Sequence, residues 1–181
     1  MSEERSFIPL SIAVLTVSDT RSLEEDRSGS LLVERLTGAG HRVADRQIVT
    51  DDVPAIQEAV RTWCRREDVD VVITTGGTGF TGRDVTPEAL EPLFEKRMDG
   101  FSAIFHRISY EKIGVSTIQS RATGGVIDAT FVFALPGSPG ACRDAWDHIL
   151  AAQLDYRHKP CNFVEIMPRL DEHLRRGGRT A

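Results

Sequence analysis

The sequence predicts an α/β fold: a three-layer α/β/α sandwich whose sheet is mostly parallel and has one antiparallel edge. Residues 12–17 and 69–75 are continuous apolar, β-branched runs, which are typical of strands covered on both faces. Helical patterns lie between the strands, so strand and helix alternate along the first half of the chain. Because such crossovers are right-handed, the strands they join are parallel and the helices cover both faces of the sheet.

The first half of the chain contains two helical patterns, separated by a strand over residues 42–49. Ser28 precedes the first helix and Gly40 ends it, whereas Asp52 and Pro54 begin the second. The apolar residues that recur at helical spacing are Leu31, Leu32, Leu36 and Ala39, and then Ile56, Ala59, Val60 and Trp63. Each stripe marks the side of its helix that faces the core.

The second half of the chain predicts further helices and an antiparallel hairpin. Two short strands around an Asp128-Ala129 turn give the antiparallel edge, and the last helix follows Pro139. The predicted elements are a helical stretch over 87–96, a helix over 101–113, strands over 124–127 and 130–135, and a helix with the apolar stripe Cys142, Ala145, Trp146, Ile149 and Leu150. From about residue 157 we expect an irregular tail that ends in a mobile basic cluster, 175–179.

Composition predicts one soluble, cytoplasmic domain spanning residues 1–181. Apolar residues make up 40% and charged residues 27%, and no apolar run approaches the roughly 18 residues that a membrane span needs. No basic and apolar leader indicates export. The net charge of −5 argues against nucleic acid as a partner. Three widely spaced cysteines fit neither a disulfide framework nor a zinc motif, and the histidines show no metal or triad spacing.

A glycine-rich segment follows the strand over 69–75 and precedes a predicted helix. We call residues 76–79 the glycine loop; its members are Gly76, Gly77, Thr78 and Gly79. Backbone N–H groups of such a loop can converge on an anion at the carboxyl end of a parallel strand. The segment continues through Asp84 to Thr86, a predicted N-cap, and then to Pro87 and Glu88. The spacing favours a phosphate site, with a tight turn as the alternative, but it matches neither standard nucleotide motif.

Acidic residues follow the first three predicted strands. If these strands are parallel, Ser18 and Asp19, Asp51 and Asp84 come to one edge of the sheet beside the glycine loop. Carboxylates repel a phosphate unless a cation lies between them, and magnesium is held by one or two carboxylates together with phosphate oxygens. The alternative is that Asp51 or Asp52 caps the second helix and Asp84 caps a turn.

A second loop, which also joins a strand to a helix, offers similar chemistry. We call Pro136, Gly137 and Ser138 the serine loop. Ser138 and the helix amides could contact an anion, and Ser138 could equally serve only as an N-cap. A nucleophilic serine is not expected, because the nucleophile elbow has glycine two residues before the serine and Pro136 stands there.

Residues 74–88, TTGGTGFTGRDVTPE, together with 135–141, LPGSPGA, resemble the MoaB/Mog family of molybdenum-cofactor biosynthesis proteins. The resemblance covers nearly the whole chain. Four further segments look like the MoaB branch of that family: IAVLTVSDTRS, EDRSG, GFSAIFHRISYEKIGVSTIQSRA and RHKPCNF.

This resemblance implies a molybdopterin-binding fold in which the glycine and serine loops hold molybdopterin. It implies that Asp51 and Asp84 support magnesium-ATP-dependent adenylylation of the molybdopterin phosphate. Thr50 departs from the family pattern, which usually has proline before the first of these aspartates. The family forms homo-oligomers, so we expect a trimer or hexamer, with an apolar face of helix 101–113 in the interface, and other molybdenum-cofactor biosynthesis proteins are possible partners.

Two other functions share features of this site. A non-catalytic protein that carries molybdopterin, or a degenerate family member, would use the same loops, because ground-state binding alone gives affinity without turnover. A regulatory domain for an unrelated nucleotide would bind ATP and ignore molybdopterin. The presence of both Asp51 and Asp84 favours the adenylyltransferase.

Overall fold

The computed structural model describes residues 5–172, within which six strands form one sheet in the order β2-β1-β3-β6-β5-β4. The strands are β1 (Ser11–Val17), β2 (Arg42–Val49), β3 (Val71–Thr75), β4 (Lys96–Arg97), β5 (Thr123–Ile127) and β6 (Thr130–Leu135). Strands β2, β1, β3 and β6 run parallel to one another, while β5 runs antiparallel to both β6 and β4. The predicted α/β class and its antiparallel edge are therefore confirmed.

Helices cover both faces of the sheet. They are α1 (Arg27–Gly38), α2 (Val53–Cys64), α3 (Thr86–Leu90), α4 (Asp99–Ile113), α5 (Pro139–Ala145, continued by a π-helical turn Trp146–Leu150 and by Ala151–Gln153) and α6 (Phe163–Ile166). Alternate residues of β1 enter two separate cores, with Ile12 and Val14 on one face and Ala13 and Leu15 on the other. The first core packs against α1, α4 and α5, and the second against α2 and α3. No helix among the described residues is long and apolar enough to cross a membrane.

The helical stretch predicted over 87–96 is wrong in its second half. Helix α3 ends at Leu90, a 3₁₀ turn covers Glu91–Leu93, and the chain then becomes strand β4. This strand can pair with β5 because Gly125 has no side chain there: a Cβ atom would lie 2.5 Å from the ring of Phe94. A two-residue strand is too short to show any periodicity in sequence.

The tail predicted to be irregular from residue 157 contains helix α6, which Asn162 caps by accepting a hydrogen bond from the Glu165 N–H group at 2.9 Å. The helix is anchored by Phe163, whose ring centroid lies 4.7 Å from that of Phe131. This packing depends on a residue far away in the chain, so the local sequence pattern could not show it. The basic cluster 175–179 lies outside the described residues.

Candidate functional site

A cavity of about 630 Å³ opens at the edge of the sheet where the parallel strands have their carboxyl ends. This is the edge at which open α/β sheets bind ligands. The glycine loop and the serine loop both line the cavity, together with Ser18, Asp51 and Asp84. Another part of the wall comes from α4 and from the 3₁₀ turn Gly114–Gln119 that follows it.

The glycine loop adopts a backbone conformation that requires glycine at two positions. Gly76 and Gly77 have φ values of +104° and +64°, in the left-handed region that other residues rarely adopt. A Cβ atom on Gly76 would lie 2.3 Å from the carbonyl oxygen of Val17. A Cβ atom on Gly77 would lie 2.4 Å from the hydroxyl of Thr86 and 3.2 Å from Oδ1 of Asp51. The two glycines therefore allow the loop to pass close to β1 and to Asp51.

Thr86 was predicted to be an N-cap, but in the structure it binds the carbonyl groups of the glycine loop instead. It is the first residue of α3, Val85 occupies the cap position, and no side chain caps this helix. The Thr86 hydroxyl is fully buried and donates to the Gly76 carbonyl at 2.8 Å, while its N–H group donates to the Gly77 carbonyl at 2.9 Å. Buried carbonyl groups in a tight turn need hydrogen-bond donors, and Thr86 supplies them instead of capping α3. Thr86 lies outside the set of residues that line the cavity.

The remaining predicted residues of this segment divide between two cavities. Thr78 and Gly79 line the site cavity. Glu88 faces a second cavity of about 500 Å³, which we call the outer cavity and which Arg97, His106 and Arg121 also line. Glu88 forms an ion pair with Arg121, and this pairing lowers the pKa of its carboxyl. The structure therefore does not bring Glu88 to the cavity that the two loops share.

The serine loop lies against the glycine loop and is held from the side of α1. A Cβ atom on Gly137 would lie 3.2 Å from the Cα of Gly76, so the two loops touch through glycines. The Gly137 carbonyl accepts hydrogen bonds from the Ser28 hydroxyl at 2.7 Å and from the Arg21 guanidinium at 3.3 Å. Ser138 is exposed and caps α5, since its hydroxyl accepts from the Ala141 N–H group at 3.2 Å. Ser138 thus both caps α5 and lines the cavity.

The loops after β1 and β2 are joined by a reciprocal pair of hydrogen bonds. The Asp19 N–H group donates to Oδ2 of Asp51 at 3.1 Å, and the Asp51 N–H group donates to Oδ1 of Asp19 at 3.1 Å. Asp19 also forms an ion pair with Arg83, which follows the glycine loop. The cap of α2 is Asp52, which accepts from the Ala55 N–H group at 3.0 Å. Asp51 is therefore not needed as a helix cap.

The two predicted catalytic acids have opposite electrostatic environments. Burial and the negative charge of Asp84 raise the pKa of Asp51 above its ordinary value. Burial opposes the charge of Asp84 as well, but hydrogen bonds from Thr81 and Gly79 and the positive charge of Arg121 outweigh it and lower the pKa of Asp84. The Thr81 N–H and hydroxyl groups donate to Oδ2 of Asp84 at 2.8 and 2.6 Å. Asp84 thus caps a turn, as the alternative interpretation expects, while it also lines the cavity.

The donor set at this edge suits a hard divalent cation that also binds a ligand. Among residues 5–172 no group of three or more His, Cys, Asp and Glu side chains is arranged to hold a metal. Asp51 and Asp84 supply two half-buried carboxylates on one cavity. Charged neighbours contribute to both pKa shifts: Asp84 helps to raise the pKa of Asp51, and Arg121 helps to lower that of Asp84. Magnesium commonly takes one or two carboxylates and completes its shell with phosphate oxygens and water. The two aspartates fit that mode of binding.

Comparison with known proteins places this chain in a family. The family model described as "Probable molybdopterin binding domain" matches residues 13–156. Molybdenum cofactor biosynthesis protein B of Escherichia coli is 51% identical over 157 residues, which cover 87% of this chain and 92% of the relative. The chain belongs to the MoaB/Mog family of molybdenum cofactor biosynthesis proteins. The family predicted from the sequence motifs is thereby confirmed.

Solved structures of the MoaB/Mog family have the same fold. A crystal structure of molybdenum cofactor biosynthesis protein B superimposes with a TM-score of 0.83 at 42% identity, covering 93% of this chain and 99% of that one. The tungsten cofactor synthesizing protein MoaB from Pyrococcus furiosus gives a TM-score of 0.65 at 33% identity, covering 95% and 98% of the two chains. Membership of the MoaB/Mog family assigns the protein to molybdenum cofactor biosynthesis.

The sequence patterns missed several polar residues of the candidate site. Arg21 brings a positive charge to the cavity from the loop after β1, two residues beyond Asp19. Ser109 and Thr117 line the cavity as a buried pair, in which the Thr117 hydroxyl donates to the Ser109 hydroxyl at 2.9 Å. The position of Arg21 after a strand could have indicated it, but the hydroxyl pair lies in a region whose pattern shows only a helix.

Two of the three cysteines are buried thiols in the two cores. Cys64, Cys142 and Cys161 are free thiols, as predicted. Burial raises the pKa of Cys142 to about 11 and that of Cys64 to about 12, so neither is a thiolate at neutral pH. Cys142 packs in the core with its sulfur 3.1 Å from the Thr75 hydroxyl.

Proposed function

We propose that this protein binds molybdopterin in the site cavity and adenylylates its terminal phosphate with magnesium-ATP. The observation that carries the proposal is the meeting of two loops rich in backbone amides with two aspartates on one cavity. Binding needs the loops, and transfer of an adenylyl group between polyanions needs a way to neutralise their charge. Asp51 and Asp84 supply the ligands for the cation that does so.

The loops would hold the attacking phosphate of molybdopterin. The glycine loop lines the cavity with Gly76, Gly77 and Gly79. Because these residues have no side chains, the loop backbone can approach a phosphate closely. Ser138 adds an exposed hydroxyl, and Arg21 adds a positive charge at the same cavity. Charge-assisted hydrogen bonds from such donors are about twice as strong as neutral ones.

The transfer itself requires no general base from the protein. A phosphate oxygen of molybdopterin, already ionised at neutral pH, forms a bond to the α-phosphorus of ATP, and the bond from that phosphorus to pyrophosphate breaks. The protein must therefore orient two polyanions in line and stabilise the charge that develops on the leaving group. Asp51 and Asp84 would hold magnesium, whose charge stabilises the ATP phosphates as pyrophosphate leaves.

A non-catalytic molybdopterin carrier is the second candidate function. Its specific support is that both aspartates already have structural partners: Asp84 caps the Thr81 turn and Asp51 joins the loop after β1. Such caps would be useful even in a protein without turnover. The carrier requires the loops and makes the carboxylate charges dispensable for function.

One incubation separates these functions. Purified protein is mixed with molybdopterin, ATP and magnesium, and the adenylylated product and pyrophosphate are measured. The adenylyltransferase predicts both products in equal amounts and none without magnesium. Molybdopterin binding without product would support the carrier, whereas ATP binding with no affinity for molybdopterin would support a regulatory nucleotide domain.

We also propose that the protein forms the homo-oligomer, a trimer or hexamer, that the resemblance implies. Helix α4 and the turn after it expose a series of large apolar side chains, each more than half exposed: Ile104, Tyr110, Ile113, Val115 and Ile118. Exposed apolar patches of this kind mark interfaces. Light scattering after gel filtration would give the mass in solution, and a monomeric mass would refute this proposal. The cytoplasm is the proposed location, which cell fractionation tests.

A further inference from the structure

Arg121 lies between the site cavity and the outer cavity, at a position to which the proposed reaction gives no role. It lies in the short link between the 3₁₀ turn Gly114–Gln119 and β5, and its side chain is 24% exposed. It lines the outer cavity, whereas the adjacent Ser120 lines both cavities. The residue therefore forms part of the partition between them.

The backbone and guanidinium of Arg121 bind carbonyl groups at both ends of the turn that carries Asp84. The Arg121 N–H group donates to the Thr78 carbonyl at 3.0 Å, and Nε donates to the Gly79 carbonyl at 2.8 Å. Nη2 donates to the Asp84 carbonyl at 2.9 Å. One side chain thus ties residue 79, at one end of the turn, to residue 84, at the other.

Two further contacts fix the guanidinium in this place. Nη1 forms the ion pair with Glu88, and the guanidinium lies over the ring of Phe80, 5.2 Å from its centroid. The turn over residues 79–84 belongs to no helix or strand, and hydrogen bonds from Thr81 and Gly79 to Asp84 hold it internally. Its position relative to the cavity depends on Arg121, on the anchoring of Thr86 and on the ion pair between Arg83 and Asp19.

We propose that Arg121 is a positioning residue that closes the turn over residues 79–84 and thereby fixes the Asp84 carboxylate on the site cavity. This role rests on the proposed function to the extent that Asp84 acts on a bound ligand. Lysine could not replace it, because a single ammonium group cannot present the planar fork that reaches the carbonyls of Gly79 and Asp84 together. Adenylylation would then depend on Arg121 as well as on Asp51 and Asp84.

The test compares Arg121→Ala and Arg121→Lys with Arg97→Ala as a matched control. Arg97 lines the same outer cavity but pairs with Glu91 and Asp99, away from the turn. We expect Arg121→Ala to lower the kcat of adenylylation roughly 10- to 100-fold, as loss of a group that orients a metal ligand does, and to change the Kd for molybdopterin less than about threefold. Arg121→Lys should resemble Arg121→Ala although it keeps the charge.

Chemical rescue makes this test specific. The outer cavity gives guanidinium ion a route to the space that Arg121→Ala vacates, so added guanidinium should restore part of the lost kcat, whereas ammonium should not. An unchanged kcat in both Arg121 variants would overturn the proposal. So would a kcat that Arg121→Lys restores in full, because charge alone would then suffice.

Two readouts remain valid even if the parental protein does not adenylylate molybdopterin. Amide hydrogen exchange over residues 79–86 should become faster in both Arg121 variants and stay parental in Arg97→Ala. Carboxyl NMR should show a higher pKa for Asp84 in Arg121→Ala, since the guanidinium charge helps to lower it. Parental exchange and an unchanged pKa would refute the role of Arg121, whereas absence of product with these shifts present would refute only the proposed function. Should Arg121→Ala not fold, Arg121→Lys gives the exchange measurement.

Discussion

The glycine loop and the serine loop touch each other at the site cavity but are built in different ways. The serine loop is a short turn from strand to helix, fixed by the Ser138 cap and by donors from the α1 side to the Gly137 carbonyl. The glycine loop has two residues with positive φ and leads into an irregular turn before its helix begins. Its support comes from Thr86 and Arg121, which bind its carbonyls.

Under the proposed function, this difference would separate ligand binding from adenylyl transfer. The serine loop carries no acidic side chain, so changes there should alter affinity for the ligand. The glycine loop leads to Asp84 and approaches Asp51, so changes there should alter turnover as well. The following predictions test that division, beginning with the largest expected effect.

Gly76→Ala should destabilise the protein by about 2 to 4 kcal/mol, because an added Cβ atom meets the Val17 carbonyl at a backbone angle that alanine rarely adopts. Urea unfolding measures the change. Gly140→Ala is the matched control, since nothing lies within 4 Å of a Cβ atom in that helical glycine. We expect the control to be neutral or slightly stabilising. Equal stability of Gly76→Ala and the parent would mean that the loop can relax and that its conformation is not fixed.

Asp84→Asn should lower the kcat of adenylylation by about 100-fold or more, since asparagine removes the charge that would hold magnesium, while molybdopterin affinity stays within about threefold. Product formation and equilibrium binding give the two values. Asp52→Asn is the control, because Asp52 only caps α2 and asparagine caps equally well. Turnover at the parental rate in Asp84→Asn would exclude this role for Asp84.

The sequence predicted most of the fold because the strands and helices that form the two cores have strong apolar patterns. Strand β4 and helix α6 escaped prediction, since each depends on a partner distant in the chain: Gly125 accommodates Phe94 beside β4, and Phe131 packs on Phe163. Local patterns carry no information about such contacts. Tertiary packing decided these elements.

The candidate site was predicted where residues follow strands directly. Ser18, Asp51 and the two loops reach one cavity because parallel strands end at the same edge. Thr86 and Glu88 follow the same motif yet point elsewhere, one to the Gly76 carbonyl and the other to Arg121. The direction of a side chain depends on the hydrogen bonds available in three dimensions, which residue spacing does not reveal.

Ser28→Ala should raise the Kd for molybdopterin about fivefold without changing kcat at saturating ligand. The variant loses the 2.7 Å hydrogen bond to the Gly137 carbonyl, which is worth roughly 1 kcal/mol in keeping the serine loop in place. Thr37→Ala, on the exposed side of the same helix, should bind as the parent does, because its hydroxyl contacts only α1. A reduced kcat in Ser28→Ala would contradict the separation of binding from chemistry.

Asp51→Asn should have the smallest effect on stability, and the size of this effect depends on pH. The pKa of Asp51 is raised in the folded protein, so its charge opposes folding as the pH rises from 3.8 through the folded pKa. At neutral pH the variant should therefore be more stable than the parent, by less than about 1 kcal/mol for a partly exposed carboxylate. Below pH 3.8 this advantage should disappear. Unfolding in urea at both pH values measures it.

Magnesium extends this last comparison to the proposed chemistry. If Asp51 and Asp84 hold the cation, magnesium should stabilise the parental protein in the presence of a phosphate ligand and remove the advantage of Asp51→Asn at neutral pH. The repulsion between the two carboxylates then becomes shared attraction to one ion. If Asp51→Asn stays more stable than the parent at saturating magnesium and ligand, Asp51 does not hold the cation. Its role would then be limited to the hydrogen bonds with Asp19, which is compatible with the carrier function.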